Sequence, residues 1–286
     1  ITSGQQVWED SLVGSSDIDA DVDWNLKDGL IVHHPLDGDI SGVHAGKVVD
    51  VTLEDGLPHF VDGRIGSAAS FDGQRYIDAG MPPNLGYEDE FTLSAWIYPN
   101  MDNGVIFSRA NEGDQGEVGW GLYIEGGKLR LNLSTRVLDD GVAAETTQAI
   151  QLERWQHVAA TYDGSKTPEG MRIYVNGIEQ ELEGLLDLVG NRLPQRYPLR
   201  IGASGSTKPN FQGNIDDVRI YDRVLEPEEI AVVSTAESIS FIASLDPSKR
   251  EKAQSDKLRL SYLNQYASPE IRAAYQEVKR LEDDRK

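Results

Sequence analysis

The sequence predicts an all-β fold, an antiparallel sandwich of two sheets with a helical C-terminal tail. Three observations carry this. Short apolar runs with period-two alternation recur along residues 29–222, separated by Gly, Asp, Asn and Pro, with no helical period between them. Asn176-Gly177 lies between two such runs, and both positions tolerate the positive φ of a two-residue hairpin turn. From residue 226 onward the apolar spacing becomes three and four, the period of an amphipathic helix.

The elements follow in chain order. Residues 1–28 read as an acidic leader or linker that packs through Trp8, Leu12 and Trp24. Its Asp17, Asp19, Asp21 and Asp23 lack the turn glycine and terminal glutamate of a helix–loop–helix calcium loop, which favours a solvated linker. The sandwich occupies residues 29–235. Its runs begin with Leu30–Leu36, Ala68–Phe71 and Tyr76-Ile77, then Phe91–Tyr98, Gly104–Ser108, Trp120–Ile124 and Leu129–Leu133. Trp155–Tyr162, Arg172–Val175, Leu199–Ile201 and Phe211–Tyr221 complete them. That makes about ten to twelve strands, with Glu112–Val118 and Leu182–Tyr197 as the longest loops. Residues 236–286 read as two or three amphipathic helices. Ile239, Ile242 and Leu245 share one face, then Leu258, Tyr262 and Leu263. Ile271, Ala274, Tyr275, Val278 and Leu281 follow the Ser268-Pro269 break.

Charge and composition narrow the function. The chain of 286 residues carries a net charge of −21. Residues 247–286 hold 10 Lys/Arg and 7 Asp/Glu, which leaves 17 basic and 41 acidic side chains, a net −24, on residues 1–246. Such a body repels nucleic acid and anionic membrane surfaces, and suits cations or neutral ligands such as sugars. The same acidity also serves plain solubility. The absence of cysteine removes disulfides, thiolate metal sites and cysteine nucleophiles. No apolar run reaches the ~18 residues of a membrane span. Residue 1 is Ile, which is expected for a piece of a longer chain.

The closing run Phe211-Gln-Gly-Asn-Ile-Asp-Asp-Val-Arg-Ile-Tyr221 is the most specific segment. Simple alternation puts Asp216 on the side of Val218 and Ile220, where a carboxylate needs a partner. Either a cation or a cluster of turn amides would serve. Four earlier segments accompany it in order: Gly66-Ser-Ala-Ala-Ser-Phe-Asp-Gly73 with Tyr76-Ile77, Phe91-Thr-Leu-Ser-Ala-Trp96-Ile, Trp155-Gln-His-Val-Ala-Ala-Thr-Tyr-Asp-Gly164, and Tyr174-Val-Asn-Gly177. Together they resemble the laminin-G-like domains of the concanavalin A-like lectin/glucanase superfamily, over about Leu30 to Val233. The resemblance implies a jelly roll of two curved sheets, with Trp96 and Trp155 in the core. The tail, through Arg250, Gln254, Leu258 and Tyr262-Leu263, is similar to connectors in planctomycete-type multidomain proteins that combine a cytochrome-c-like segment with domains of unassigned function. That implies an internal module of a secreted or periplasmic protein, with neighbouring domains of the parent chain as partners.

The resemblance further implies a structural calcium with Asp216 as its carboxylate. Further oxygens would come from around Asp72-Gly73 or from His34 to Asp37, so the expected metal residues are Asp216, Asp72 and Asp37. Hydrogen bonding of Asp216 to turn amides is the competing reading. Catalysis is not expected. Glucanases of this superfamily carry Glu-x-Asp-x-x-Glu on one strand, and no strand here has it. Sugar recognition remains. Leu129, Leu131 and Leu133 face the core, so Arg130 and Asn132 face outward; Trp120, Leu122 and Ile124 do the same for Tyr123. Arg109, Tyr123, Arg130, Asn132 and His157 are the expected ligand-binding set on the concave face, against an ordinary polar exterior. The expected function is a non-catalytic module that binds a polysaccharide or glycoconjugate outside the cytoplasm. A scaffold for neighbouring domains and an unrecognised glycoside hydrolase are the alternatives.

Overall fold

The computed structural model describes residues 2–13, 26–49, 51–54, 59–113, 116–136 and 140–283. The leader's aspartate run and Trp24 lie outside them. The chain divides into two compact units, one of Asp28–Ile230, the other of Ile1–Lys27 with Ala231–Lys286.

The first unit is a β-sandwich. Its strands are β1 (Leu30–His34), β2 (Gly42–His44), β3 (Lys47–Val49), β4 (Thr52–Glu54), β5 (His59–Asp62), β6 (Ser67–Asp72), β7 (Tyr76–Asp78), β8 (Glu90–Pro99) and β9 (Gly104–Gly113). They continue with β10 (Gly116–Glu125), β11 (Lys128–Arg136), β12 (Asp140–Thr146), β13 (Gln156–Asp163), β14 (Met171–Val175), β15 (Ile178–Glu179), β16 (Leu182–Leu188), β17 (Arg200–Ile201) and β18 (Gln212–Tyr221). The first sheet runs β15-β14-β13-β8-β18-β1-β2-β3, with β6 attached at β18 and β5 at β6. The second runs β16-β12-β11-β10-β9-β17-β7-β4. The strand pairs are antiparallel.

Alternation explains the core. Phe91, Leu93, Ala95 and Ile97 of β8 meet Trp120, Leu122 and Ile124 of β10 and Leu129, Leu131 and Leu133 of β11 between the sheets. Each such side chain contributes about 1.5–3 kcal/mol on burial. Asn176 and Gly177, at φ 51° and 76°, make the hairpin turn between β14 and β15. Three short-range expectations change. Of the expected loop Glu112–Val118, Glu112-Gly113 belongs to β9 and Gly116–Val118 to β10, with Glu112 opposite Glu117. The stretch from Leu182 opens with strand β16, and β12 was absent from the expected runs. Neither strand alternates cleanly: β12 is buried throughout and β16 is mostly exposed.

Strand β18 departs most from simple alternation. Two residues of β18, Asp217 and Val218, oppose one of β8, Ala95, between the pairs Asp216–Trp96 and Arg219–Ser94. The extra residue is a β-bulge, with Asp217 at φ 52°. The bulge reverses parity, so Ile215 before it and Val218 and Ile220 after it all enter the core. Asp216 therefore points away from Val218 and Ile220, to the outer side of the first sheet with Trp96. Trp96 is buried there, with Arg64 5.2 Å over its ring, rather than between the sheets. Trp155 is half-buried against Tyr98 at 5.8 Å.

Asp217 is buried and takes Arg219 at 2.8–3.0 Å and His33 Nε2 at 2.9 Å. Burial opposes its ionisation, but Arg219 and His33 outweigh burial and hold the carboxyl well below the usual range. Asp140, at the start of β12, accepts the Gly190 amide at 2.7 Å, the Asn191 amide at 3.3 Å and the Asn191 side-chain amide. Burial pushes its carboxyl up, but hydrogen bonds from Thr135, Gly190 and Asn191 win and bring it down to about 2.

The second unit is helical. Helix α1 (Thr2–Leu12) begins the chain, and α2 (Pro227–Val233) contains the dividing point between the units. Helices α3 (Ile239–Ser244), α4 (Lys252–Ser261) and α5 (Pro269–Asp283) follow, with a π-helical turn at Tyr262–Tyr266. Trp8 stacks on Tyr266 at 4.9 Å and packs with Tyr262, Leu263 and Ala267. Arg250 and Glu9 pair at 2.6 Å, both largely buried.

Two outcomes follow. Asp217→Ala leaves Arg219 buried without its main counter-charge, and should cost about 3–5 kcal/mol in denaturant titration. A loss under ~1 kcal/mol would show that the pair stabilises little. For Asp140, the depressed carboxyl contributes stability that is present above about pH 4 and lost as pH falls toward 2. Asp140→Asn should remove that part of the acid dependence and cost about 1–3 kcal/mol at pH 7, measured as melting temperature against pH.

Candidate functional site

The outer face of the second sheet carries the candidate site. Register places Tyr123, Arg130 and Glu145 abreast on β10, β11 and β12, and Gly121, Asn132 and Ala143 in the next row. This is the outward parity that Trp120, Leu122, Ile124 and the three leucines of β11 impose by filling the core. The Glu125-Gly-Gly-Lys128 turn sets the register, with Glu125 opposite Lys128.

Ion pairs organise this face. Arg130 joins two carboxylates, Glu145 at 2.6 Å and Glu125 on its other side. Lys128 meets Glu145 at 2.9 Å, and Lys208 pairs with Glu125. Burial raises the Glu145 carboxyl, but Arg130 and Lys128 outweigh it and hold the group below its usual value. Lys208 also lies over the Tyr123 ring at 4.9 Å, within cation–π range. Beside these groups lies a hollow of about 220 Å³, lined by Asn103, Val105, Tyr123, Glu125, Lys208 and Pro209.

Tyr123 forms a wall of this hollow and is only 1% exposed. Its hydroxyl donates to Glu117 at 2.5 Å, and the Ser206 hydroxyl donates to the other Glu117 oxygen at 2.5 Å. Burial, then the Glu117 charge, pushes the Tyr123 phenol well above its ordinary value, so it stays a donor. Its ring is therefore not an open stacking platform. Asn132 is mostly buried and donates to Ser134 Oγ at 3.1 Å. Arg130, about a quarter exposed, is the most accessible of the expected set.

Two expected ligand residues lie elsewhere. Arg109 is opposite Trp120 in the β9–β10 register, so it points to the inner side. Its guanidinium is buried and donates to the carbonyls of Pro83, Gln195 and Tyr197 and to the side chains of Asn84 and Gln195. It fastens loops rather than facing solvent. His157 is on β13 of the first sheet, buried edge-on against Trp96 at 5.3 Å. Burial lowers its imidazole to about 3, which keeps it neutral. Alternation alone does not say which sheet a strand joins, and that is where the expectation for His157 failed.

Glu117, Glu125, Glu145, Lys208 and Asn103 were not among the expected site residues. The Gly126-Gly127 turn was the available signal for Glu125, because it fixes Tyr123 opposite Arg130. Lys208 is 83 residues from Glu125 and had no local signal.

The expected metal residues also separate. Asp216 Oδ2 accepts the amides of Arg64 and Ile65, each at 2.8 Å, as the turn-amide reading expected. Its Oδ1 is buried and has no hydrogen-bond partner among the described residues. Burial, opposed by those amides and reinforced by Asp217 and Asp37, raises the Asp216 carboxyl to about 7. Asp37 accepts the Ser67 amide at 2.8 Å, so it borders the same 63–67 turn. Asp72 is exposed and caps its own turn through the amides of Gln74 and Arg75, both at 3.0 Å. Among the described residues, no three His, Cys, Asp or Glu side chains gather as a metal-binding group.

Known structures share this architecture. Domain 4 of AbnA, an extracellular arabinanase from Geobacillus stearothermophilus solved with arabinotriose, aligns with a TM-score of 0.51 at 19% identity. The alignment covers 72% of this chain and 98% of that domain. The binding domain of Paraclostridial Mosquitocidal Protein 1 aligns at 0.52 and 20% identity over 75% of this chain. The botulinum neurotoxin serotype G binding domain aligns at 0.52 and 18% over 72%. The chain spans about half of each toxin binding domain, 52% and 50%. At these identities the likeness is one of fold. Residues 71–231 match the family profile of the laminin G type described as the concanavalin A-like lectin/glucanases superfamily, which is more than half of the chain. The five ordered segments, the two antiparallel sheets and this match agree, and the chain belongs to the concanavalin A-like lectin/glucanase superfamily.

Proposed function

We propose that the sandwich is a non-catalytic carbohydrate-binding module that acts outside the cytoplasm, with the outer face of the second sheet as its ligand site. The observation that carries this is the 220 Å³ hollow beside the Lys208–Glu125–Arg130–Glu145–Lys128 chain. Sugar hydroxyls need donors and acceptors held in fixed geometry, and mutual pairing fixes these side chains before any ligand arrives. The arabinotriose-bound arabinanase domain of the same fold is in keeping with a glycan ligand and an extracytoplasmic setting.

The pairing also argues against glycoside hydrolysis at this face. A general acid needs a raised pKa, whereas Glu145 is held low by Arg130 and Lys128. Both Glu125 and Glu145 are engaged by cations. Among the described residues no helix is long and apolar enough to cross a membrane.

Calcium belongs to the same proposal. A buried carboxylate oxygen without a hydrogen-bond partner among the described residues, with Asp37 bordering the same turn, suits a hard cation. Asp216 and Asp37 would hold it with backbone carbonyls, and Asp72 would not take part. Bound calcium would supply the counter-charge that Asp216 Oδ1 otherwise lacks.

Glycan arrays and polysaccharide pull-downs test the first part. Binding should fall about ten-fold or more in Lys208→Ala and in Arg130→Ala, as expected when a hydrogen bond to a charged group is lost. Absence of binding to neutral, acidic and sulfated glycans would refute the glycan reading, and reducing-sugar release would refute the non-catalytic one. For calcium, chelation should lower the melting temperature of the wild type and leave Asp216→Asn unchanged. A wild-type protein that is metal-free by elemental analysis and melts unchanged would rule the ion out.

A further inference from the structure

A second hollow lies at the loop end of the sandwich and shares no residue with the first. Its volume is about 490 Å³, and Asn84, Tyr87, Glu88, Lys166, Asn191 and Arg192 are among its lining residues. Connecting loops are ordinarily the most mobile parts of a sandwich. Here the walls are fastened from beneath by buried side chains. Arg109 holds Pro83, Asn84, Gln195 and Tyr197 through five hydrogen bonds of 2.5–3.2 Å. Asp140 holds Gly190 and Asn191. The Tyr162 hydroxyl donates to the Tyr87 carbonyl at 2.8 Å and accepts the Lys166 amide at 2.8 Å. Gln195 Nε2 donates to the Leu85 carbonyl at 2.8 Å.

Two buried charges committed to loop carbonyls and amides, instead of to each other, make a preorganised concave surface. Its chemistry is amphipathic. Val189, Leu193 and Tyr87 supply apolar area, while Asn84 and Asn191 bring planar amides. The charges are largely balanced within the hollow. Glu88 pairs with Lys166 at 2.6 Å, and Asp89 accepts the Gly86 amide at 2.7 Å. A wall of this kind has little attraction for an anion, and the net −24 of residues 1–246 repels one. Sugar rings present an apolar face and a rim of hydroxyls, which fits both features.

We propose that this loop-end hollow is a second and independent glycan-binding position, selective for short neutral oligosaccharides. The inference rests on the reading of the sandwich as a glycan binder but not on the face hollow. It also explains why Arg109 and Asp140 are buried where an apolar side chain would serve packing alone.

The test is an NMR titration of ¹⁵N-labelled protein with arabinotriose, xylotriose, cellotriose and maltotriose. At least one of these sugars should shift the amides of Gly86, Gly190 and Asn191. Arg192→Ala and Glu88→Gln should each weaken those shifts about ten-fold, while shifts around Gly104 and Glu125 persist. Both side chains are on the surface, and the spectrum of each variant reports its fold directly. Loop shifts without face shifts would support this position and remove the face hollow as a site. Face shifts alone, or loop shifts unaltered in both variants, would overturn the second position and leave the first. A fifth titration, with trigalacturonate, tests the selectivity: loop shifts as large as those with the neutral sugars would overturn it. Silence with all four neutral sugars would overturn the inference.

Discussion

The extra residue at Asp217 is the constraint on which the sandwich depends. β18 lies in the middle of the first sheet and pairs with β8, β1 and β6. A regular strand would put Ile215 and Val218 on opposite faces. The bulge lets Ile215, Val218 and Ile220 enter the core together and turns Asp216 and Arg219 to the outer side. A left-handed backbone at a non-glycine residue is unfavourable by itself. The Asp217 ion pair with Arg219 and its hydrogen bond with His33 offset that and hold the strand in this register.

The same solution recurs where backbone must be held away from regular pairing. Arg109, Asp140, Asp216 and Asp217 each direct a buried polar group at loop amides, loop carbonyls or a close counter-charge. Removing one partner exposes the remaining group to an uncompensated desolvation penalty, so such sites tolerate little substitution. The result is a sandwich whose inter-sheet core is apolar and whose edges and loop end are fixed by polar contacts. Rigid loops and a rigid outer face are what a binding module requires, because affinity rises when ordering is complete before the ligand arrives.

The outer face of the second sheet gains its character from neutralisation. Three cations and two carboxylates pair along β10, β11, β12 and the 206–209 loop, so the face is highly polar but nearly charge-balanced. That arrangement presents fixed donors and acceptors, and Arg130 and Lys128 hold the Glu145 carboxyl below its usual value. The laminin-G fold is thus used here as a frame, with the chemistry set by which outward side chains happen to meet.

The sequence by itself determined the sheet class, the hairpin at Asn176-Gly177, the core faces of β8, β10 and β11, and the outward direction of Tyr123, Arg130 and Asn132. These follow from period-two alternation and turn chemistry, which act over a few neighbouring residues. Tertiary structure decided the rest. The bulge in β18 reversed parity at Asp216. Sheet membership moved His157 away from Arg130, and register against Trp120 sent Arg109 inward. Lys208 and Glu125 met across 83 residues of chain. Each depends on long-range pairing, whose register is fixed only when two sheets close on a shared core.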